Sequence, residues 1–168
     1  HLEDLNKTED QQRIVDALLL FKQQLNPSIK ETDTLKKAFL ELSNFELPSG
    51  LVCLYDNCDG SHTPTKEGYS ILSSKKLLKE WKTWKDIFDE WTLDELKAAE
   101  SDQNKSLPLY VTPYWVPFMT DSNGNFIGID YAPGKKGQSG QIIAFGADES
   151  MIKVVADNLG NFFEQLKN

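Results

Sequence analysis

The stretch that decides the fold is Trp115-Val116-Pro117-Phe118-Met119-Thr120-Asp121-Ser122-Asn123-Gly124-Asn125-Phe126-Ile127-Gly128-Ile129-Asp130-Tyr131, continued by Ala132-Pro133-Gly134-Lys135-Lys136-Gly137-Gln138-Ser139-Gly140-Gln141. Tyr114 to Met119 is rich in strand formers, and Asn125 to Tyr131 alternates as a strand does. Between them Ser122-Asn123-Gly124-Asn125 holds an Asn-Gly pair suited to a tight reversal. Pro133 to Gly140 reads as a loop whose glycines permit positive φ or close packing. Gln141 to Phe145 and Met151 to Val155 follow as two further strands around a Gly146 to Ser150 turn.

Upstream the period changes from two to 3.6. Leu77, Trp81, Trp84, Phe88 and Trp91 recur at spacings of four, three, four and three, which predicts a long helix from Ser74 with a break near Trp91. Thr92 to Asp102 stays helix-like, and Leu109-Tyr110-Val111 is strand-like. Helical periodicity assigns the aromatic stripe to packing against the sheet, with Trp84 and Trp91 the two expected to be part exposed. Nearer the start, Ile14, Val15, Leu18, Leu19 and Leu25 predict a helix from Gln12 that Asn26-Pro27 stops. A second helix is capped by Thr32 or Asp33 and carries Leu35, Phe39 and Leu42 on one side. A third begins with Pro48 at its first position and carries Leu51, Leu54 and Tyr55. Gly68 to Leu72 is a short strand candidate, and Asp157 to Gln165 closes the chain as a helix. Residues 1–10 are expected as a loose polar lead-in, with residues 11–168 forming one domain. Helices first, then a meander of strands, then a helix predict an α+β domain with a mainly antiparallel sheet flanked by helices.

Length and charge narrow the functions. A chain of 168 residues buries about 70% of its extended surface, enough for a core without metal or disulfide support. No apolar run reaches the roughly 18–20 residues that cross a bilayer, so no membrane partner is expected. Lys and Arg number 18 against 26 Asp and Glu, a net charge of -8. That surface repels nucleic acid and anionic lipid, and no basic field accompanies the aromatics. Cys53 and Cys58 are close enough to bridge but make no disulfide framework, so reduced thiols are expected. With no signal-peptide core, they point to a cytoplasmic protein. The missing initiator Met ahead of His1 suggests a trimmed start, and an export signal lost before position 1 stays open.

Chemistry-bearing patterns are sparse. His62 is the one imidazole away from the terminus, and no G-x-S-x-G elbow accompanies it. Cys53-x4-Cys58-x3-His62 has an unusual spacing for zinc and no clear fourth ligand. Gly134 to Gly140 lacks the phosphate-loop order and runs into a strand instead of a helix. Asp121, Asn123 and Asn125 alternate like calcium ligands, but Phe126 stands where that loop needs Gly and Ala132 where it needs Glu, so an Asx-stabilised turn fits better. Asp130 is expected to accept hydrogen bonds from the loop that follows it. No catalytic residue, metal or cofactor is therefore expected, and no enzyme is expected.

Several stretches together resemble the SMI1/KNR4 (SUKH) superfamily: Leu47-Pro48 with Leu51, Leu54, Tyr55, Asn57 and Gly60; Trp115-Val116-Pro117-Phe118; Asp121 with Gly124-Asn125; Gly128-Ile129-Asp130-Tyr131 with Pro133; and Gly137-x-x-Gly140-Gln141-Ile142. The resemblance covers about residues 30 to 166 and implies an α+β fold that binds without catalysis. Its motif positions fall on Trp115, Pro117, Asp121, Gly124, Asp130, Pro133, Gly137, Gly140 and Gln141, mostly as fold determinants. Many bacterial members are associated with immunity against polymorphic or contact-delivered toxins, often nucleases, and fungal members with cell-wall regulation.

The chain departs from that pattern in its Trp-rich helix and the acidic stretch after it. Trp84, Asp86, Asp89, Glu90, Trp91, Asp94, Glu95 and Glu100 are accordingly the candidate partner-binding residues, steering a basic nuclease toxin into steric occlusion. The alternative is a housekeeping scaffold or small-ligand module linked to cell-wall regulation. It would use a sheet-face groove near Trp115 and the Gly134–Gly140 loop.

Overall fold

The computed structural model describes residues 2–30, 32–44, 46–92, 100–101, 112, 114–146 and 151–167. Five helices are named here: α1 (Leu2–Leu20), α2 (Thr32–Ser43), α3 (Ser49–Asn57), α4 (Ser74–Glu90) and α5 (Leu159–Leu166). The strands are β1 (Ser70–Ile71), β2 (Glu100–Ser101), β3 (Trp115–Thr120), β4 (Asn125–Asp130), β5 (Gln141–Gly146) and β6 (Met151–Ala156). The sheet order is β1-β3-β4-β5-β6-β2, antiparallel except where β2 joins β6 in parallel. This is the α+β arrangement expected from the switch of period. Among the described residues no helix is long and apolar enough to cross a membrane.

Strand alternation divides the sheet into two faces. Val116, Phe118, Ile129 and Ile142 join the larger core, with Ile14, Leu18, Phe39, Leu51, Leu54, Trp81 and Phe163 from the helices. Trp115, Phe126, Ile143, Phe145 and Ile152 form a second cluster with Trp84. Pro117 offers no N–H to the ladder and stands where the β3–β4 register shifts. Residue 128 must be a glycine, because a Cβ there would lie 2.8 Å from the Val116 carbonyl oxygen and 3.0 Å from the Phe145 ring.

Helix α4 spans both clusters. Trp81 stacks on Phe39 with ring centroids 5.1 Å apart, while Trp84 meets Phe126 and Phe145 edge-on at 5.4 and 5.7 Å. Its start is fixed by Ser73, whose hydroxyl accepts the Lys76 N–H, and by Asp59, whose carboxylate accepts the Ser74 N–H at 2.9 Å. Helix α1 is clasped to α5 by Arg13, which donates to Asn161 Oδ1 at 2.9 Å and pairs with Glu164 at 3.2 Å.

Several expectations need correction. Helix α1 begins at Leu2, well before the apolar period starts at Ile14, because polar residues extend a helix without announcing it. Pro48 is the residue before α3, not its first. Thr92 to Asp102 was expected as helix, yet Glu100 and Ser101 pair with Met151 and Ile152 as a strand. Positive φ in the β3–β4 loop falls on Ser122 (67°) and Gly124 (87°), so the reversal is longer than a two-residue Asn-Gly turn. The Leu109–Val111 strand and the turn at 147–150 lie outside the described residues, as does the Leu42 side chain.

Candidate functional site

The motif residues assemble through strand register. Trp115 on β3 stands directly opposite Asp130 on β4, and Asp130 stands opposite Gln141 on β5, so the three side chains form one row across the sheet. Asp130 is fully buried. Its Oδ1 accepts the Ala132 N–H at 2.9 Å and its Oδ2 accepts Gln141 Nε2 at 2.9 Å. Gln141 Oε1 in turn accepts the Gln138 N–H at 3.2 Å, and the Gly140 N–H donates to the Asp130 carbonyl at 2.8 Å. Pro133, Gly137 and Gly140 thus lie in a loop laced to the ends of the interior strands β4 and β5 by Asp130 and Gln141. Burial pushes the Asp130 carboxyl above its usual range, and its hydrogen bonds with Gln141 and Ala132 only partly oppose that.

Asp121 performs the matching task at the other end of β4. It accepts the Asn123 N–H at 2.8 Å, the Asn125 N–H at 3.2 Å and Asn125 Nδ2 at 2.8 Å, an Asx-stabilised turn. Burial raises this carboxyl, but the Asn125 and Asn123 donors outweigh it and hold it below its ordinary value.

Trp115 is 1% exposed and packed on Phe145, so among the described residues its side chain offers no open surface to a ligand. A groove about 930 Å³ in volume opens on the helical side, reached by Tyr131 as the chain leaves β4. Helix α2 contributes Lys36, Lys37 and Leu40, and α3 with its lead-in contributes Leu47, Pro48, Val52 and Cys53. Burial pushes the Tyr131 hydroxyl far up, so it stays protonated. The Cys53 thiol is raised by burial and then by Asp56, and the Cys58 thiol is pushed up to about 11 by burial. Both are free thiols, and neither has the depressed pKa of a nucleophile.

Of the acidic candidates, Asp86, Asp89 and Glu90 sit together near the end of α4. Trp84 is 8% exposed and belongs to the second cluster, because α4 rotates its stripe from one core to the other; it is not the part-exposed anchor expected. Trp91 is 37% exposed and caps α4 in extended geometry. Asp86, Asp89 and Glu90 face solvent, with Asp89 held by Lys85 at 2.8 Å. Asp94, Glu95 and the Glu100 side chain lie outside the described residues. His62 is exposed beside the Thr63 hydroxyl, and among the described residues no three His, Cys, Asp or Glu side chains could hold a metal ion. Sequence reasoning missed the helical groove. Its available signal was Leu40, an apolar residue off the Leu35–Phe39 stripe and 49% exposed.

The family model described as SMI1 / KNR4 family (SUKH-1) matches residues 31–165, which contain the row, the turn and most of the groove. The chain belongs to the SMI1/KNR4 family. Among similar proteins, this SMI1/KNR4 chain is 45% identical over 65 residues to the cell wall assembly regulator SMI1 of Saccharomyces cerevisiae, covering 39% of the chain and 13% of that protein. It is 32% identical over 121 residues to the cell wall biosynthesis/cell cycle regulator smi1 of Schizosaccharomyces pombe, 65% of the chain and 24% of that protein. With the glucan synthesis regulatory protein of Neurospora crassa it shares 28% identity over 143 residues, 65% of the chain and 27% of that protein. The matches thus span about a quarter or less of each of these fungal relatives. Two of these names speak of the cell wall and the third of glucan synthesis, the fungal branch of the resemblance and not the bacterial immunity branch.

Proposed function

We propose that this SMI1/KNR4 chain is a non-catalytic protein-binding module serving cell-wall regulation, with its contacts made on the helical side. The observation that carries this reading is the state of Asp130. The most prominent acid of the motif is fully buried, with both carboxylate oxygens occupied by Ala132 and Gln141. A motif used up in bracing a loop leaves recognition to the surface outside it. The names of the three fungal relatives supply the process.

Toxin neutralisation draws less support. Helix α4 carries Lys75, Lys76, Lys79, Lys82 and Lys85 ahead of its acidic end, and Lys85 already pairs with Asp89. A basic nuclease approaching that helix meets a mixed field, which steers weakly.

The test is a chimaera in which residues 31–165 replace the matching segment of the fission yeast regulator. Restored resistance to a wall-degrading enzyme in cells lacking that regulator is the expected result. A chimaera that accumulates normally yet restores nothing counts against a wall-related role.

A further inference from the structure

We infer that the helical-side surface running from Leu19 past Asn57 to Leu40 binds an acidic, amphipathic peptide segment of a partner protein. This deepens the binding-module reading and rests on it. Among the described residues the exposed large apolar side chains are Leu19, Leu20, Ile29, Leu40, Trp91 and Tyr114. The first four all belong to the end of α1, the loop after it, and α2. Leu40 lines the groove of about 930 Å³, and Leu19 lines a second of about 460 Å³. The two meet at Asp56 and Asn57, which line both. Apolar side chains gathered along connected concavities are what a partner's apolar face requires.

Charge selects the partner. Lys36 and Lys37 line the larger groove and Lys22 and Lys30 the smaller, against the carboxylates of Glu46 and Asp56. Asp56 is occupied, its carboxylate accepting the Thr32 hydroxyl at 3.1 Å and its carbonyl accepting Lys30 Nζ at 2.9 Å. Lys36 has only a loose contact with Asp33, 3.9 Å away on a side chain that is 97% exposed. With Asp33 counted, four cations stand against three carboxylates, a local surplus of one positive charge on a chain whose net charge is -8. The lysines of α4 are the other cationic stretch, but the exposed apolar side chains lie beside these grooves, so an acidic segment with an apolar face is matched here by both charge and apolar surface. Concavity favours a peptide over a bilayer, since a flat anionic surface would meet the acidic remainder of the chain before it reached the grooves.

The test pans a display library of random 16-residue peptides against the whole chain, then measures the affinity of enriched peptides by fluorescence anisotropy. Expected are peptides of net negative charge with apolar residues at helical spacing. Their binding should weaken about tenfold in the Lys36→Glu, Lys37→Glu double variant, and severalfold on raising salt from 50 to 300 mM. Leu40→Asp and Leu19→Asp should each weaken binding, and because all four positions are exposed, the melting temperatures should stay within about 3 °C of the parent. Enrichment of basic peptides, no enrichment, or binding indifferent to these changes overturns the inference. So does co-sedimentation with vesicles of 30% phosphatidylserine, or a concentration-dependent dimer abolished by Leu40→Asp. If the chimaera fails while peptide binding behaves as described, the wall-related role falls and the surface stands. If the chimaera works and no acidic peptide binds, the surface alone falls.

Discussion

Trp115→Ala is expected to destabilise the protein by about 3–5 kcal/mol, lowering the melting temperature on the order of 10 °C. The indole is 1% exposed, with its ring centroid 5.2 Å from that of Phe145 and the Asp130–Gln141 row beside it. Phe145 also contacts Trp84 and Phe126, so the cavity opens at the centre of the second cluster. The aromatic neighbours are held by β4, β5 and α4, so collapse into the void is limited and the cavity cost is retained. Trp115→Phe keeps a ring there and should cost less than half as much. Urea unfolding of both variants checks this. A loss below about 1 kcal/mol for Trp115→Ala would show that the cluster is not a true core.

Asp130→Asn is expected to cost about 2–4 kcal/mol despite nearly identical size, since it breaks a buried hydrogen-bond network. Gln141 has no freedom to adapt: its Oε1 accepts from Gln138 and its Nε2 donates to Asp130 Oδ2. An amide at position 130 sets an NH₂ group against that Nε2, or else withdraws the acceptor from Ala132. The pH dependence has a definite sign. Burial raises the folded-state carboxyl above its ordinary value of 3.8, so the folded protein holds this proton more tightly than the unfolded chain. The resulting contribution is fully present below 3.8 and is lost as pH rises through the folded value. The stability gap between parent and Asp130→Asn should therefore widen in acid. Paired urea titrations from neutral to acidic pH measure it, and a gap that narrows in acid would mean the carboxylate is favoured in its charged form.

The parts of this structure that were legible in the sequence are those with local periodicity. Strand formers over Tyr114–Met119, the Asn123-Gly124 pair and the alternation of Asn125–Tyr131 placed the hairpin, and strand pairing turns Trp115, Pro117, Gly128, Asp130 and Gln141 toward one face. Period 3.6 placed α4 and its end near Trp91. What escaped has no local signature. Glu100–Ser101 is too short to show a period, and it becomes a strand only by pairing with β6. A single helix stripe seldom buries every Trp fully, which predicts Trp84 as part exposed, whereas the helix crosses from Phe39 to Phe145 and buries it against the second cluster. The groove unites Gln11, Leu40, Val52 and Tyr131 from four separate elements and loops, so only tertiary packing creates it. Its wall was partly visible in Leu40, but an isolated exposed leucine is common on any protein.

Structural roles for the motif and recognition by the helical side make separable demands on the protein in cells. The most direct measurement is wall-defect rescue by the fission yeast chimaera carrying Lys36→Glu, Lys37→Glu and Leu40→Asp together. The predicted result is a chimaera that accumulates to the parent's level, melts at the parent's temperature and no longer rescues. Rescue equal to the parent's, at equal protein level, would contradict recognition through this surface.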